Sequence, residues 1–300
     1  MNPHFLRIAL SRVSAILLSG MVLCGCVSTV TGERTPFVAP TAISDVYSSA
    51  NLQMMLATTS NASGECVEAE CVQRSEFDQR VAMTGARLSG GAYQAFPGLA
   101  DRVTQFNFMV VDKAEPGTAS TAAGYIVVLR PLSSIALSDE ALTFVIAREM
   151  GHVVAQHHEE NTATSMILSV VATVIAPIIN IAKIFAIGYS GATSGVATSA
   201  VASASMTAAS FVGSRVIIES YRPKQREEAD DIAIKLLAPL GYDVQAVSAA
   251  FDNVDLHTPQ TSWMRELQSS LARLSVAAEP QALARPARLA IAGPAEYSGN

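Results

Sequence analysis

Charge is scarce in this chain: 15% of its 300 residues are charged, against 50% hydrophobic. That balance is apolar for a soluble protein. The net charge is −6 and no basic cluster occurs anywhere, which argues against a nucleic-acid partner. Cysteine is also sparse, with four in all. Cys66 and Cys71 are too far apart for a redox Cys-x-x-Cys, and no histidine lies near them to complete a zinc site. No acid precedes Glu33, and from Asn161 to Ser214 the only charge is Lys183. The length allows one domain with a sizeable core, or a domain plus a tail.

The acid-free N-terminus reads as an export signal. Arg7 and Arg12 form a positive n-region, and Val13 to Leu23 suits a signal h-region better than a mature spanning helix. Leu23-Cys24-Gly25-Cys26 follows and resembles the lipobox of bacterial lipoproteins. The resemblance implies a signal over residues 1–25, cleavage before Cys26 and a lipid on its thiol. An uncleaved anchor helix or ordinary signal cleavage are the rival readings. Cleavage removes two of the 20 basic residues and none of the 26 acids, leaving a net charge of −8. An exported chain would meet an oxidising compartment, so Cys66 and Cys71 are expected to pair as a local staple.

Residues 26–49 are rich in Thr, Ser, Pro and Val, lack a helical period and read as a tether. A helix is expected over 76–92, and strands over 104–112 and 124–129. Ser138 is a good N-cap, with Asp139 and Glu140 at the positive end of the dipole of a helix running to about His158. Met166 to Ile187 could span a bilayer, alone or as part of a 166–218 hairpin; a pair of core helices or a loop is the alternative. A further helix runs from about 221 to Leu237, closed by Pro239 and Gly241.

The helix after Ser138 carries Ala147-Arg148-Glu149-Met150-Gly151-His152-Val153-Val154-Ala155-Gln156-His157-His158. Metal-dependent peptidases use His-Glu-x-x-His here, because residues four apart share a helix face and the Glu can take a proton from metal-bound water. Glu149 and His152 occupy the base and second-ligand positions, but Arg148 stands for the first histidine. A guanidinium stays protonated and only donates, so it cannot ligate a cation. His157 and His158 read as the end of the helix. The later helix carries Arg226-Glu227-Glu228-Ala229-Asp230, which by itself would be a solvated charged face.

Both motifs together with Gly-Tyr-Ile-Val-Val at 124–128, Gly-Tyr-Asp at 241–243 and His257-Thr258-Pro259 with Arg265 resemble one family. It is the zinc metallopeptidase family of the heat-shock protease HtpX, the type I CAAX prenyl protease and the Oma-type proteases, in a periplasmic lipoprotein form. The likeness covers about residues 72–275. It implies a mostly helical α+β fold, zincin-like (gluzincin), with a small sheet packed on the motif helix. It puts the family's base on Glu149, a zinc ligand on His152, the glutamate ligand on Arg226 and the supporting aspartate on Asp230. His257 corresponds to a histidine that can swing onto the metal. The substrate-positioning stretch falls on Gly117-Thr118-Ala119 and is lost.

These readings lead to a lipid-anchored protein of the bacterial envelope, facing the periplasm. By resemblance to lipoprotein sorting rules, Val27 rather than Asp after the lipid cysteine implies the outer membrane. The expected plan is tether 26–49, peptidase-like domain 50–275 with an apolar insertion at 161–214, and a flexible Pro/Ala-rich tail at 276–300. Zinc belongs to the family but is expected to be lost or weak here, since two of three ligand positions are Arg. The expected role is a pseudoprotease binding an envelope protein or peptide, with Arg148, Arg226, Asp230, Glu149 and His152 in one cluster. The alternatives are an active zinc metalloendopeptidase and a membrane-inserted structural protein.

Overall fold

The computed structural model describes residues 25–32, 34–62, 66–135, 138–167, 223–252 and 261–284. Over these the protein is a mostly helical α+β structure with two small sheets. Strands β1 (Gly25–Cys26) and β2 (Phe37–Val38) pair antiparallel, with Cys26 opposite Phe37. Helices α1 (Thr41–Thr58) and α2 (Glu68–Ala95) follow. Strands β3 (Asn107–Val111), β4 (Thr118–Ser120) and β5 (Tyr125–Leu129) form a second sheet in the order β3-β5-β4. β3 runs parallel to β5, and β4 is the antiparallel edge, pairing Thr118 with Val128 and Ser120 with Ile126. The motif helix α3 is Asp139–Val154. Helices α4 (157–167), α5 (223–237), α6 (Val244–Ala250) and α7 (Ser262–Ala284) complete the described chain.

Apolar periodicity accounts for most of this. α2 buries Phe77, Val81, Leu88 and Ala92, a stripe at helical spacing that faces the core. β5 is buried continuously from Ile126 to Leu129, as a central strand covered on both faces must be. α3 begins where Ser138 accepts a hydrogen bond from the Ala141 amide, and Asp139 and Glu140 follow in its first turn. It is buried nearly all round, so it is the central element of the core. It ends earlier than expected. Gln156 takes φ 63°, a left-handed conformation costly for a side chain with a Cβ, and the chain restarts as α4 at 157. Arg102 meets the end of α3, donating to the carbonyl of Val154 at 3.1 Å while pairing with Glu159 at 2.9 Å.

Other boundaries differ as well. The helix expected over 76–92 runs from Glu68 to Ala95, and Cys66 and Cys71 are disulfide-bonded at its start, with Cα atoms 5.3 Å apart. The span 26–49 is no tether without period. It is a β-hairpin followed by the first half of α1, and both pack on the domain. Ser44 and Ser48 are buried, and the Ser48 hydroxyl accepts from the Ala122 amide at 3.0 Å. The helical repeat escaped notice because small hydroxyl residues, not large apolar ones, form the buried side. The helix before the tail also continues past 275 to Ala284. No described helix is long and apolar enough to cross a membrane; the span expected within 166–218 lies, beyond 167, outside the described residues.

α3 and α5 touch through their backbones. A Cβ on Gly151 would lie 2.5 Å from the carbonyl oxygen of Ala229 and 2.9 Å from its Cα. Backbone cannot yield as a side chain can, so Gly151→Ala must push the helices apart. The expected loss is about 1–3 kcal/mol, read as a lower midpoint in urea denaturation. An unchanged midpoint would show that the helices are not in such close contact.

Candidate functional site

The motif helix and α5 meet at a buried ion pair. Nε of Arg148 donates to Oδ1 of Asp230 at 2.9 Å, and the two side chains are 5% and 1% exposed. The other Asp230 oxygen accepts from Arg273 of α7 at 2.9 Å. Arg273 also bonds Asp231 at 3.1 Å and the Glu227 carbonyl at 3.1 Å. Nη2 of Arg148 is buried and has no hydrogen-bond partner among the described residues. Asp230 therefore balances a fully buried guanidinium on one side and a partly exposed one on the other.

Arg226 does not join this group as expected. It lies 3.6 Å from Glu266 of α7, with both side chains about a quarter exposed. It is one turn before Asp230 on α5, where Glu266 supplies a carboxylate on the open side of the helix. Arg273 takes the place beside Asp230 instead. Nothing in the sequence pattern marks Arg273, because its partner is set by how α7 packs on α5.

Glu149 is held by the edge strand. Its Oε2 accepts from the Thr118 hydroxyl at 2.8 Å and its Oε1 from the Ser120 hydroxyl at 2.7 Å. Trp263 of α7 donates its indole N–H to Thr118 at 3.0 Å. The Ser120 oxygen also lies 2.8 Å from Nε2 of His158. Since the serine proton goes to Glu149, the neutral imidazole must be the donor in that bond. The stretch that lost the family-like pattern thus supplies one of the two hydroxyls that grip Glu149, Thr118, and the next residue after it, Ser120, supplies the other. Their spacing of two in a strand, which puts both on one face, was the available signal.

His152 points into a third group. Its Nδ1 lies 2.8 Å from Nδ1 of His157, whose Nε2 lies 3.3 Å from Oε2 of Glu228. An ionised carboxylate can only accept, so His157 donates from Nε2 and accepts at Nδ1 from His152. The left-handed turn at Gln156 makes this possible by swinging His157 back toward α3. His157 is thus a support for His152 rather than a plain helix end. Glu228 also accepts from Arg34 at 2.8 Å and from Thr31 at 3.0 Å, and Arg34 forms two bonds to Glu160, at 2.9 and 3.1 Å. Burial alone would raise the Glu228 carboxyl, but the bonds from His157, Arg34 and Thr31 outweigh it and bring it down to about 2. Burial pushes His157 down against the pull of Glu228, and burial beside His157 takes His158 down to about 4.

This donor set does not fit zinc. The first-ligand position is a cation bonded to Asp230, and a guanidinium cannot ligate a metal. Among the described residues, no group of three or more His, Cys, Asp or Glu side chains could hold a metal ion. His257 lies outside the described residues.

A motif helix packed on a small sheet, with a second acidic helix in contact with it at Gly151, is compatible with the α+β fold of an M48 peptidase. The family model of peptidase family M48 matches residues 105–286, and the chain belongs to that family. M48 peptidases are typically zinc-dependent. No curated protein matches the chain.

The two halves of the Arg148–Asp230 pair should differ sharply on removal. Asp230→Asn leaves a buried and a half-buried guanidinium facing each other and should cost about 3–5 kcal/mol. Arg148→Met leaves Asp230 still paired with Arg273 and should cost less than half as much. Urea melts of both variants test this, and equal losses would mean that Arg273 does not support Asp230.

Acid should weaken the fold in a defined window. The ordinary imidazole value is 6.5, and both His157 and His158 lie below it in the folded protein. Their contribution is thus complete above about pH 6.5 and falls as pH drops below it, that of His158 being lost toward 4. The Glu228 contribution is complete above its ordinary 4.5 and lost toward 2. His158→Gln should flatten the stability slope between pH 6.5 and 4 by up to about 1.4 kcal/mol per pH unit. An unchanged slope would place the acid sensitivity elsewhere.

Proposed function

We propose that this M48 chain is an envelope lipoprotein of the HtpX/Oma-type branch, zincin-like in fold, in which an ion pair has replaced the metal centre. It binds a protein or peptide partner of the envelope and does not cut it. The observation that carries this is Arg148: buried at the first-ligand position, it is bonded to the aspartate that would otherwise support a histidine. Glu149 supports the same reading, since both its oxygens already accept edge-strand hydroxyls that would have to be displaced before it could act on water. Lipidation at Cys26, whose thiol is exposed, would keep the domain at the membrane, facing the periplasm.

The second reading is an active zinc endopeptidase. Glu149 and His152 favour it, because base and second ligand are present at the spacing hydrolysis needs. Metal content separates the two. The purified chain should carry far less than one zinc per molecule, and its melting temperature should not change with chelator, because no metal stabilises the folded state. About one zinc per chain, with a chelator-induced drop of many degrees reversed by Zn²⁺, would overturn the pseudoprotease reading.

A further inference from the structure

The hairpin of β1 and β2 faces the end of the motif helix across a cleft of about 670 Å³. Val27, Val30 and Pro36 of the hairpin line one side, Phe96 and Leu99 after α2 the other, and Val154 at the end of α3 completes it. Val27 and Val30 are 40% and 42% exposed, so this wall is open to a second chain and not packed shut. The hairpin itself is fixed. Arg34 bridges Glu160 of α4 and Glu228 of α5, and the Ala39 amide donates to the Glu159 carbonyl at 3.1 Å. The cleft is therefore preformed, which spares a ligand the cost of ordering it. Neither Glu149 nor His152 lines it, so binding here needs no metal centre.

An extended chain would find backbone partners there. Among the described residues β1 pairs with β2 alone. The amides of Val27 and Thr29 donate to the carbonyls of Pro36 and Arg34, at 3.2 and 2.8 Å. Amides alternate in direction along an antiparallel strand, so that of Ser28, which also lines the cleft, points away from β2. An open edge of this kind is a template for a further strand. Gln156, the left-handed residue, lines the cleft too and offers a side-chain amide that both donates and accepts.

Charge narrows the occupant further. No acid is among the described residues that line the cleft, although the chain carries 26. Two cations are, Arg102 and Lys235. Arg102 is committed to Glu159 and to the Val154 carbonyl. Lys235, exposed on α5, makes no ion pair among the described residues, and the acid one turn before it, Asp231, is bonded to Arg273. The cleft thus presents apolar walls, an unpaired strand edge and one available positive charge.

We infer that this cleft grips an extended peptide segment of a partner protein, one that carries an apolar side chain beside an acid. The segment lies along residues 27–30 with its backbone toward Ser28, sets the apolar side chain against Phe96, and brings the carboxylate to Lys235. This rests on the partner-binding reading above and names the place and the partner's chemistry. Main-chain bonds to the strand edge supply affinity, while the apolar wall and Lys235 supply selectivity.

The test pans random dodecapeptides displayed on phage against the full chain, immobilised in mild detergent. Enriched peptides are synthesised, and their Kd is read by fluorescence polarisation on the unmodified chain, Lys235→Glu and Val30→Asp. Both positions are exposed, so the fold tolerates the changes. The expected peptides carry Asp or Glu close to an apolar residue and bind each variant about tenfold more weakly. Lys235→Glu should instead prefer the same peptides with Lys in place of the acid. No enrichment, or equal binding to all three proteins, overturns the cleft as the partner site. Laurate binding that Val30→Asp abolishes, with no peptide enriched, makes the occupant an acyl chain and overturns the peptide. Zinc content of the same preparation separates the two readings. If the cleft fails in a zinc-poor chain, the pseudoprotease reading stands; about one zinc per chain overturns that reading whatever the cleft binds.

Discussion

The contact between the motif helix and α5 is the constraint on which the rest depends. Gly151 lets the two backbones meet at Ala229, and Arg148 and Asp230 bond across the same junction. A guanidinium is tolerated there only because a carboxylate is brought within 2.9 Å of it. Were the helices farther apart, the same arginine would be a buried charge with no partner, at a cost of several kcal/mol. The glycine and the ion pair therefore require each other. Neither alone explains why an arginine can stand in the middle of a peptidase motif helix.

The polar side chains of the motif helix fall into three separate groups rather than one cluster. Arg148 belongs with Asp230 and Arg273, Glu149 with the β4 hydroxyls, and His152 with His157 and Glu228. A metal would draw such side chains to one point. Here each is held by a different neighbour: α5 and α7, the sheet edge, and the turn into α4. The arrangement can be satisfied without an ion because each of these groups has its own counter-partner among the described residues, except Nη2 of Arg148.

Much of this was readable from local pattern. Ser138 with its two following acids marks the start of the motif helix, and the runs at 104–112 and 124–129 contain the strands β3 and β5, though nothing in them shows that the two pair in parallel. The same spacing argument that picked out Glu149 and His152 also exposed Arg148. What escaped the pattern depends on distant partners or on rare backbone. Arg226 and Arg273 are both arginines on helices, and only packing decides which of them reaches Asp230. Gln156 has no feature that announces a left-handed residue, yet that residue returns His157 to His152. The segment after Cys26 looked like a linker because its composition is polar and small. Its order comes from Thr31 and Arg34 finding Glu228 and Glu160, almost two hundred positions away in the case of Glu228.

Glu228 joins the two ends of the molecule. One of its oxygens, Oε2, accepts from Arg34 of the hairpin and from His157 beside the motif helix. A carboxylate oxygen has lone pairs enough to accept both at once. The 2.8 Å bond from Arg34 is charge-assisted and the shorter; the 3.3 Å bond from neutral His157 is the longer. If Arg34 withdrew, Glu228 would be left with a neutral imidazole and the Thr31 hydroxyl. Its carboxylate would then draw on His157 for charge, and the pull on His157 to take up a proton would rise. A proton on Nδ1 of His157 would turn that nitrogen from acceptor to donor, so its bond with His152 could persist only with the direction reversed. The hairpin and His152 are thus joined through a single carboxylate, by way of Arg34 on one side and His157 on the other.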